Sequence, residues 1–214
     1  MTSEKLTGQQ VADAGLTGWT VLAGVLHTRI RTGDFATGLA VVNAIGAAAE
    51  EMNHHPDLDL RYPRVDVRLS SHDVGGLTER DVALARRIGD IAAAAGAELD
   101  SESLAYLELG LDSPDKDAIA PFWAAVLGRE VDGWDVVDPH GQGPLIWFQE
   151  SGSEPDRQRW HPDLWVGPER VQPLIDAAVA AGGTLVSDAR APRFWVLADP
   201  EGNRVCLCTW QERG

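Results

Sequence analysis

The chain has 214 residues, of which 44% are hydrophobic, and its formal net charge is −15. This length suits one full-size domain or two small ones, and the acidic balance argues against binding to a nucleic-acid backbone. No apolar stretch reaches membrane-spanning length and residues 1–5 lack the core of a signal peptide, so we expect a cytoplasmic protein with neither nucleic-acid nor membrane partners.

The first half of the chain predicts a hairpin, a helix and a strand. The apparent hairpin covers residues 21–30, and the helix covers residues 35–52 with Asp34 as its N-cap. Pro56 ends the helical stretch, since the residue before a proline avoids the helical conformation. Residues 64–70 alternate apolar and polar side chains, which is typical of a half-buried strand. The apolar face predicted for the helix consists of Phe35, Leu39, Val42, Ile45 and Met52.

Three of the six histidines lie next to the ends of these elements. His54 and His55 follow the helix, and His72 follows the strand. Because His55 precedes Pro56, it is pushed into an extended conformation, and the two neighbouring histidines leave the helix in different directions. A helix end and a strand end that meet at one cleft would bring together three imidazoles, which suit proton transfer near neutral pH. We interpret His27, inside the hairpin, as structural.

The spacing of these histidines extends to other residues of the first half. The pattern consists of Glu50, His54, His55, Pro56, Tyr62, His72 and Asp81, together with Gly18-Trp19, Gly33-Asp34-Phe35 and the stretches 69–73 and 76–81. In these residues the chain resembles pterin-4a-carbinolamine dehydratase over roughly residues 4–97. Leu58 departs from the family pattern, since an aromatic residue is common there, and the first hairpin is short.

This resemblance implies an activity, a set of site residues and a fold. The activity is dehydration of a 4a-hydroxytetrahydropterin to quinonoid dihydropterin by histidine acid–base catalysis, without a metal or redox cofactor. The implied fold is α+β, an antiparallel sheet with helices packed on one face, and self-association is implied, here expected as a homodimer. The implied catalytic residues are His54, His55 and His72, and the implied substrate-binding residues are Trp19, Glu50, Asn53, Pro56, Ser70, Ser71, Asp73 and Asp81.

Three of these residues have a second interpretation. Trp19 either walls the pterin ring or is an ordinary core aromatic. Glu50 either orients a histidine or is a solvated helix residue. Thr78 and Asp81 have the spacing of a capping pair at a helix start, and for Asp81 we favour the capping role.

The composition changes near residues 96–103 and predicts a domain boundary there. Seven of the eight tryptophans follow residue 120, and the acidic excess is larger in the second half. We therefore expect one domain over residues 1–98 and another over residues 102–214. The two cysteines, Cys206 and Cys208, lie two apart on one predicted strand and are poorly placed for a disulfide, which is consistent with a reducing compartment.

The second half repeats one pattern after 54 residues. In each copy a strand leads into a helix that is opened by a proline and closed by a glycine, and short strand-like runs follow. Two βαβββ units are therefore predicted. The first copy comprises a strand at 107–111, a cap at Ser113-Pro114, a helix end at Gly128 and runs at 134–137 and 145–149; the second comprises 164–166, Gly167-Pro168, Gly182, 184–186, 194–198 and 204–210.

These paired units carry Phe122-Trp123, Leu127-Gly128 and the stretch 199–203 before the last strand. They are similar to a glyoxalase-like domain of the vicinal oxygen chelate superfamily, over about residues 102–212. In its metal-dependent members, His, Glu or Gln residues of the two units hold a divalent ion. His161 and Glu108 match such positions here, but Cys206 stands where a carboxylate is usual, and the 54-residue offset relates Glu108 to Pro162. We therefore expect the two residues to face opposite sides and the domain to hold no metal.

Three functions are compatible with this sequence. We favour a pterin dehydratase whose glyoxalase-like domain binds an unknown small ligand, modulates specificity or supports assembly. The alternative places the main activity in the second domain, as a lyase, dioxygenase or small-molecule-binding protein, with the first domain as an oligomerisation module. A purely non-enzymatic interaction module is the third, and the intact histidine set counts against it.

Overall fold

The computed structural model describes residues 4–139, 141, 143–151, 159–200, 202 and 204–213, except for the side chains of Phe122 and Val126. Glu201 and Asn203 of the predicted glyoxalase-like motif lie outside the described residues. The chain divides into two compact units, the first formed by Met1–Leu104 with Thr209–Gly214 and the second by Ala105–Cys208. None of the described helices is both long enough and apolar enough to cross a bilayer.

The first unit is an antiparallel sheet with two long helices. The elements are α1 Gly8–Asp13, β1 Thr20–Leu22, β2 Val25–Arg31, α2 Phe35–Met52, β3 Asp57–Arg61, β4 Arg64–Leu69, α3 Glu79–Ala94 and β5 Glu98–Asp100. The strands lie in the order β1-β2-β4-β3, and β5 pairs with β2. The predicted hairpin, the 35–52 helix and the following strand are confirmed.

One face of this sheet packs against α2 and α3. The alternating residues Val65, Val67 and Leu69 of β4 are fully buried there, together with residues of both helices. The predicted apolar face of α2 was partly wrong, because Phe35 and Leu39 are 50% and 47% exposed. The face that packs is built from smaller residues, which let the helix approach the sheet closely; its buried members are Gly38, Val41, Ile45, Ala48 and Ala49.

In its described residues, the second unit is an eight-stranded sheet made of two βαβββ units, as predicted. The elements are β6 Tyr106–Ser113, α4 Lys116–Leu127, β7 Glu130–Asp132, β8 Asp135–Val137, β9 Ile146–Glu150, β10 Trp160–Trp165, α5 Pro168–Ala180, β11 Thr184–Arg190, β12 Phe194–Ala198 and β13 Arg204–Cys208. The strands lie in the order β11-β12-β13-β10-β6-β9-β8-β7, so the first strands of the two units, β6 and β10, pair antiparallel at the centre.

The start of α4 differs from the prediction. Ser113 is still paired with Glu150 at the end of β6, so it does not cap the helix, and Pro114 is not its first residue. Asp115 is the N-cap instead, and its side chain accepts a hydrogen bond from the Ala118 amide at 3.1 Å. The predicted Gly167-Pro168 start of the other helix is confirmed.

The two faces of the second sheet have different chemistry. One face packs against α4 and α5 through apolar residues such as Leu111, Phe148 and Leu207. Because side chains alternate along a strand, the residues between these point to the opposite face, which neither helix covers. We call this the inner face; it carries Glu108, Gly110, Asp112, Trp147, His161, Asp163, Trp165, Cys206 and Cys208.

Candidate functional site

The first site lies where α2 ends and β4 ends. α2 stops at Asn53, whose left-handed conformation (φ 48°) turns the chain out of the helix. The chain then enters β3, which pairs with β4 so that Asp57 lies opposite Arg68. Continued in the same register, this pairing places His54 beside Ser71.

A buried hydrogen-bond network forms at this junction. His54 is 6% exposed, and its Nε2 lies 2.8 Å from Oδ1 of Asp81, which is fully buried. The other carboxylate oxygen, Oδ2, accepts hydrogen bonds from the Ser71 hydroxyl and from the Thr78 amide, both at 2.7 Å. Ser71 and Thr78 are also buried. Both oxygens of the buried Asp81 carboxylate therefore have hydrogen-bond partners, as a stable interior requires.

Asp81 combines the two roles that the sequence left open. It is the third residue of α3, and with the N-cap Thr78 it forms a complete capping box. The predicted capping pair is confirmed. Because one oxygen serves the cap and the other serves His54, the cap holds the carboxylate in a fixed position beside the imidazole.

This network determines which nitrogen of His54 carries the proton. The carboxylate of Asp81 acts as an acceptor toward all of its partners, so Nε2 of His54 is assigned as the donor. In the neutral imidazole Nδ1 then keeps its lone pair and is the proton acceptor. The arrangement is that of a base oriented by a carboxylate.

His55 and His72 lie at the surface around this buried pair. His55 has 57% of its side chain exposed, and its Nε2 lies 3.2 Å from Oε1 of Glu50. His72 is exposed in the turn after β4, which is closed by a hydrogen bond from the Ser71 amide to the Gly76 carbonyl at 2.8 Å. Glu50 therefore contacts His55, which agrees with its interpretation as a residue that orients a histidine.

Asp73 lies in the same turn and pairs with Arg80. Its carboxylate accepts a hydrogen bond from the guanidinium at 2.5 Å, and this bond is the main reason why the pKa of Asp73 is lowered.

The remaining predicted site residues surround the junction less closely. Trp19 is half-buried and packs against the hydrophobic core, which favours its interpretation as a core aromatic. Asn53 is exposed, whereas Pro56 and Ser70 are half-buried. Their predicted roles in substrate binding stay predictions.

The second site is the inner face of the second sheet. His161 of β10 pairs with Gly110, and Asp163 pairs with Glu108. Directly paired residues share a face, and so do residues two apart on one strand, such as His161 and Asp163. Glu108, the partner of Asp163, therefore lies on the same face as His161, and the expectation that they face opposite sides was wrong. Glu108 is engaged elsewhere, because its Oε2 accepts a hydrogen bond from the Trp165 indole at 2.7 Å.

A cluster of three possible metal ligands lies on this face. Asp163 is paired directly with Cys206 of β13, and His161 lies two residues before Asp163 on the same side of β10. One ligand atom from each of the three lies within 4.8 Å of the others. A nitrogen, an oxygen and a sulfur donor suit a borderline-soft divalent ion such as Zn²⁺ better than a hard ion such as Mg²⁺.

Comparison with known proteins gives a family-model match for each unit. The family model for pterin 4 alpha carbinolamine dehydratase matches residues 4–91. A provisionally named pterin-4-alpha-carbinolamine dehydratase from Nocardia farcinica is 39% identical over 94 residues, which are 43% of this chain and 99% of the relative. The chain belongs to the pterin-4-alpha-carbinolamine dehydratase family. A relative with the same provisional name from Herpetosiphon aurantiacus is 46% identical over 78 residues, 36% of this chain and 81% of the relative.

The second unit has its own match. The family model for a glyoxalase-like domain matches residues 108–208, so the chain is a fusion of a dehydratase-family unit with a glyoxalase-like unit. A glyoxalase/bleomycin resistance protein/dioxygenase superfamily member from Vibrio splendidus is 15% identical, with a TM-score of 0.36 over 50% of this chain and 99% of that one.

Asp163, Asp112 and Trp147 of the glyoxalase-like unit were not predicted from the sequence as site residues. The strand was predicted at residues 164–166, whereas β10 begins at Trp160. Extending the strand by four residues would have placed His161 and Asp163 on one face by simple alternation. Pro162 lies between them, and because proline is unfavourable inside a strand, the alternation of His161 and Asp163 was not interpreted as part of the strand.

Proposed function

We propose that the dehydratase unit eliminates water from a 4a-hydroxytetrahydropterin and releases quinonoid dihydropterin. The observation that carries this proposal is the buried His54–Asp81 pair, at 2.8 Å, next to the turn that contains His72. A carboxylate-oriented imidazole with exposed imidazoles nearby supplies both a base and an acid, which is what this elimination requires. The family membership of the unit supports the choice of a pterin substrate.

In this mechanism His54 is the base. Its Nδ1 takes the proton from N5 of the pterin, and Asp81 stabilises the imidazolium that forms. The electron pair of the N5–H bond becomes the N5=C4a double bond, and the C4a–O bond breaks. The departing hydroxyl takes a proton from His72 and leaves as water. The proton gained by His54 and the proton lost by His72 then return through solvent.

The other predicted residues have supporting roles. Glu50 orients His55 beside the reacting groups, and Ser71 positions Asp81 through its hydroxyl. We propose that Asn53, Pro56, Ser70 and Asp73 bind the pterin, whereas Trp19 supports the site from the hydrophobic core. Each positioned acid or base contributes about 10² to 10⁴ in rate, so two histidines suffice for an elimination that also occurs slowly in water.

We propose that the glyoxalase-like unit binds a small ligand on its inner face and is not needed for the elimination itself. The polar and aromatic side chains on that face, among them Asp112, Trp147 and His161, support this role. We also propose a cytoplasmic homodimer. The exposed apolar residues Phe35 and Leu39 of α2 support self-association.

The test of the dehydratase proposal is the decay of 4a-hydroxytetrahydropterin, followed by stopped-flow absorbance. We expect the intact chain to accelerate the decay, and His54→Ala and His72→Ala each to remove most of that acceleration. His27→Gln is the matched control, since His27 is a buried histidine of the same unit that the mechanism does not use. Decay in the presence of the intact chain that is no faster than in buffer would overturn the proposal.

A further inference from the structure

We propose that the glyoxalase-like unit holds one Zn²⁺ on His161, Asp163 and Cys206. This ligand set differs from the one that the family resemblance implies, because Asp163 is added and Glu108 is left out. The site lies within the second unit, so it is separate from the dehydratase chemistry. It gives a chemical identity to the ligand-binding role proposed for the inner face.

The positions of the three ligands follow from the sheet. His161 and Asp163 alternate on β10 and therefore share a face, and Cys206 is the direct partner of Asp163 on β13. Their ligand atoms lie within 4.8 Å of one another. Ligands of a tetrahedral zinc lie roughly 3.5 Å apart, given bonds of about 2.0 to 2.3 Å, so side-chain movements of about 1 Å close the site.

The orientation of His161 matches that of a zinc ligand. Its Nε2 faces Asp163, with 3.8 Å to Oδ1, and its Nδ1 faces Asp112, with 3.7 Å to Oδ1. In zinc sites the nitrogen that does not bind the metal usually donates its proton to a carboxylate, which fixes the tautomer. Asp112 is placed to be that carboxylate.

Asp112 supplies an independent observation in favour of the site. Its Oδ1 is buried and has no hydrogen-bond partner among the residues that the structure describes. Leaving a buried carboxylate oxygen without a donor is unfavourable. When zinc binds Nε2 of His161, the proton of the imidazole is held on Nδ1, directly facing this oxygen. Metal binding would thus satisfy a group that is otherwise left unpaired.

The fourth position of a tetrahedral zinc would be filled from outside the cluster. Glu108 is held by the Trp165 indole, so among the described residues three protein ligands remain, and water or a ligand oxygen would complete the coordination. Gly110 makes the approach of His161 possible, because a Cβ at that position would lie 2.5 Å from Nε2 of His161. A site with three protein ligands and one open position is typical of zinc that acts on a bound molecule.

The test uses the full chain, stripped with a chelator and titrated with Co²⁺ and then Zn²⁺. We expect one equivalent of Co²⁺ to produce a thiolate-to-cobalt charge-transfer band that Zn²⁺ removes. Since Cys206 and Cys208 are the only cysteines, the band must come from one of them. Cys206→Ser should abolish the band, and Asp163→Asn should weaken binding at least ~100-fold as a direct ligand is lost, more than the 10- to 100-fold typical of outer partners.

Cys208→Ser is the matched control, because this cysteine lies on the same strand and face but outside the cluster. It should leave the band and the stoichiometry unchanged. Absence of a charge-transfer band in the wild-type chain would overturn the proposal, whether or not the variants fold, and so would a band lost in Cys208→Ser but kept in Cys206→Ser. The stripped chain should keep its dehydratase activity, so a failure of zinc binding is distinguishable from a failure of the proposed elimination.

Discussion

At the scale of single residues, the first site depends on one carboxylate with two roles. Asp81 closes the capping box of α3 with one oxygen and orients His54 with the other. A helix cap holds the carboxylate in a fixed position, so the start of α3 sets the orientation of His54, the proposed base. The sequence contained the capping signal, but the second role required the register of β3 and β4 and was visible only in three dimensions.

Replacing this carboxylate should therefore impair catalysis. In Asp81→Asn the amide can donate a hydrogen to Nε2, which would move the proton of His54 to Nδ1 and remove the base. We expect kcat to fall by about 10² or more, as for loss of one acid–base group. The measurement is the pH dependence of kcat, where the acidic limb, on which the base becomes protonated, should shift or disappear. Asp90→Asn, an exposed change on the same helix, should match the wild type.

His27 makes a second prediction at this scale, about stability. Burial, with a smaller effect of the Arg68 charge, lowers its pKa to about 4 from 6.5. Between these two pH values the unfolded chain binds a proton on His27 that the folded chain does not. The contribution of neutral, buried His27 to folding stability is therefore complete above pH 6.5 and is lost as the pH falls toward 4. The total loss is roughly 3 kcal/mol.

His27→Gln should remove this pH dependence. The comparison is the difference in melting temperature between wild type and variant from pH 7 to pH 4, which isolates one group because all others are shared. Asp34, Asp73 and Asp100 have lowered pKa values and titrate below this range. A difference that stays constant with pH would contradict the assignment.

At the scale of elements, helices and strands with a repeating sequence pattern were predictable. Competition between a local capping signal and pairing with a distant strand was not. The helix α2, the strand β4 and both βαβββ units follow from periodicity and from a repeat of 54 residues. The start of α4 did not, because Ser113 has a partner in β9 and stays in the sheet, so the cap passes to Asp115. Pairing with a distant strand overrode a local capping signal.

The pairing of β6 with β10 also permits a test of the inner face. Gly110 lies opposite His161, and the imidazole occupies the space that a methyl group would need. Gly110→Ala should push the ring away and lower zinc affinity by about 10-fold or more, similar to the loss of an oriented ligand. Calorimetric titration with Zn²⁺ measures this affinity, and an unchanged circular dichroism spectrum shows that the sheet is intact. Unchanged affinity would place the metal elsewhere.

At the scale of the whole molecule, the dehydratase unit is discontinuous in sequence. The chain leaves it after Leu104 and returns at Thr209, and Trp210 packs against the core of the first unit. Gly8 gives this indole room, since a Cβ there would lie 2.9 Å from its Cε3. Composition predicted a domain boundary near residues 96–103. It contains no signal that the last residues, Thr209–Gly214, belong to the first unit. The boundaries at 98 and 102 stay predictions.

Removing this indole should weaken the dehydratase unit specifically. Trp210→Ala loses partly buried aromatic surface, and we expect the unfolding free energy of that unit to fall by about 2 kcal/mol, less than for a fully buried tryptophan. Thermal inactivation of the dehydratase activity reports on this unit. Trp134→Ala is the control, since that side chain is 50% exposed in the second unit. Equal inactivation of both variants would contradict a role for the C-terminal segment in the first unit.

If His54 and Asp81 act as one catalytic unit, a double-mutant cycle on the decay of 4a-hydroxytetrahydropterin will show it. The rates of wild type, His54→Ala, Asp81→Asn and the double variant are compared at saturating substrate. Because the carboxylate acts through the imidazole, we predict that the double variant is no slower than His54→Ala alone. If the rate losses of the two single variants multiply in the double variant, the two residues act independently; if the wild-type rate equals that of buffer, they catalyse nothing. Either result would contradict a shared catalytic role.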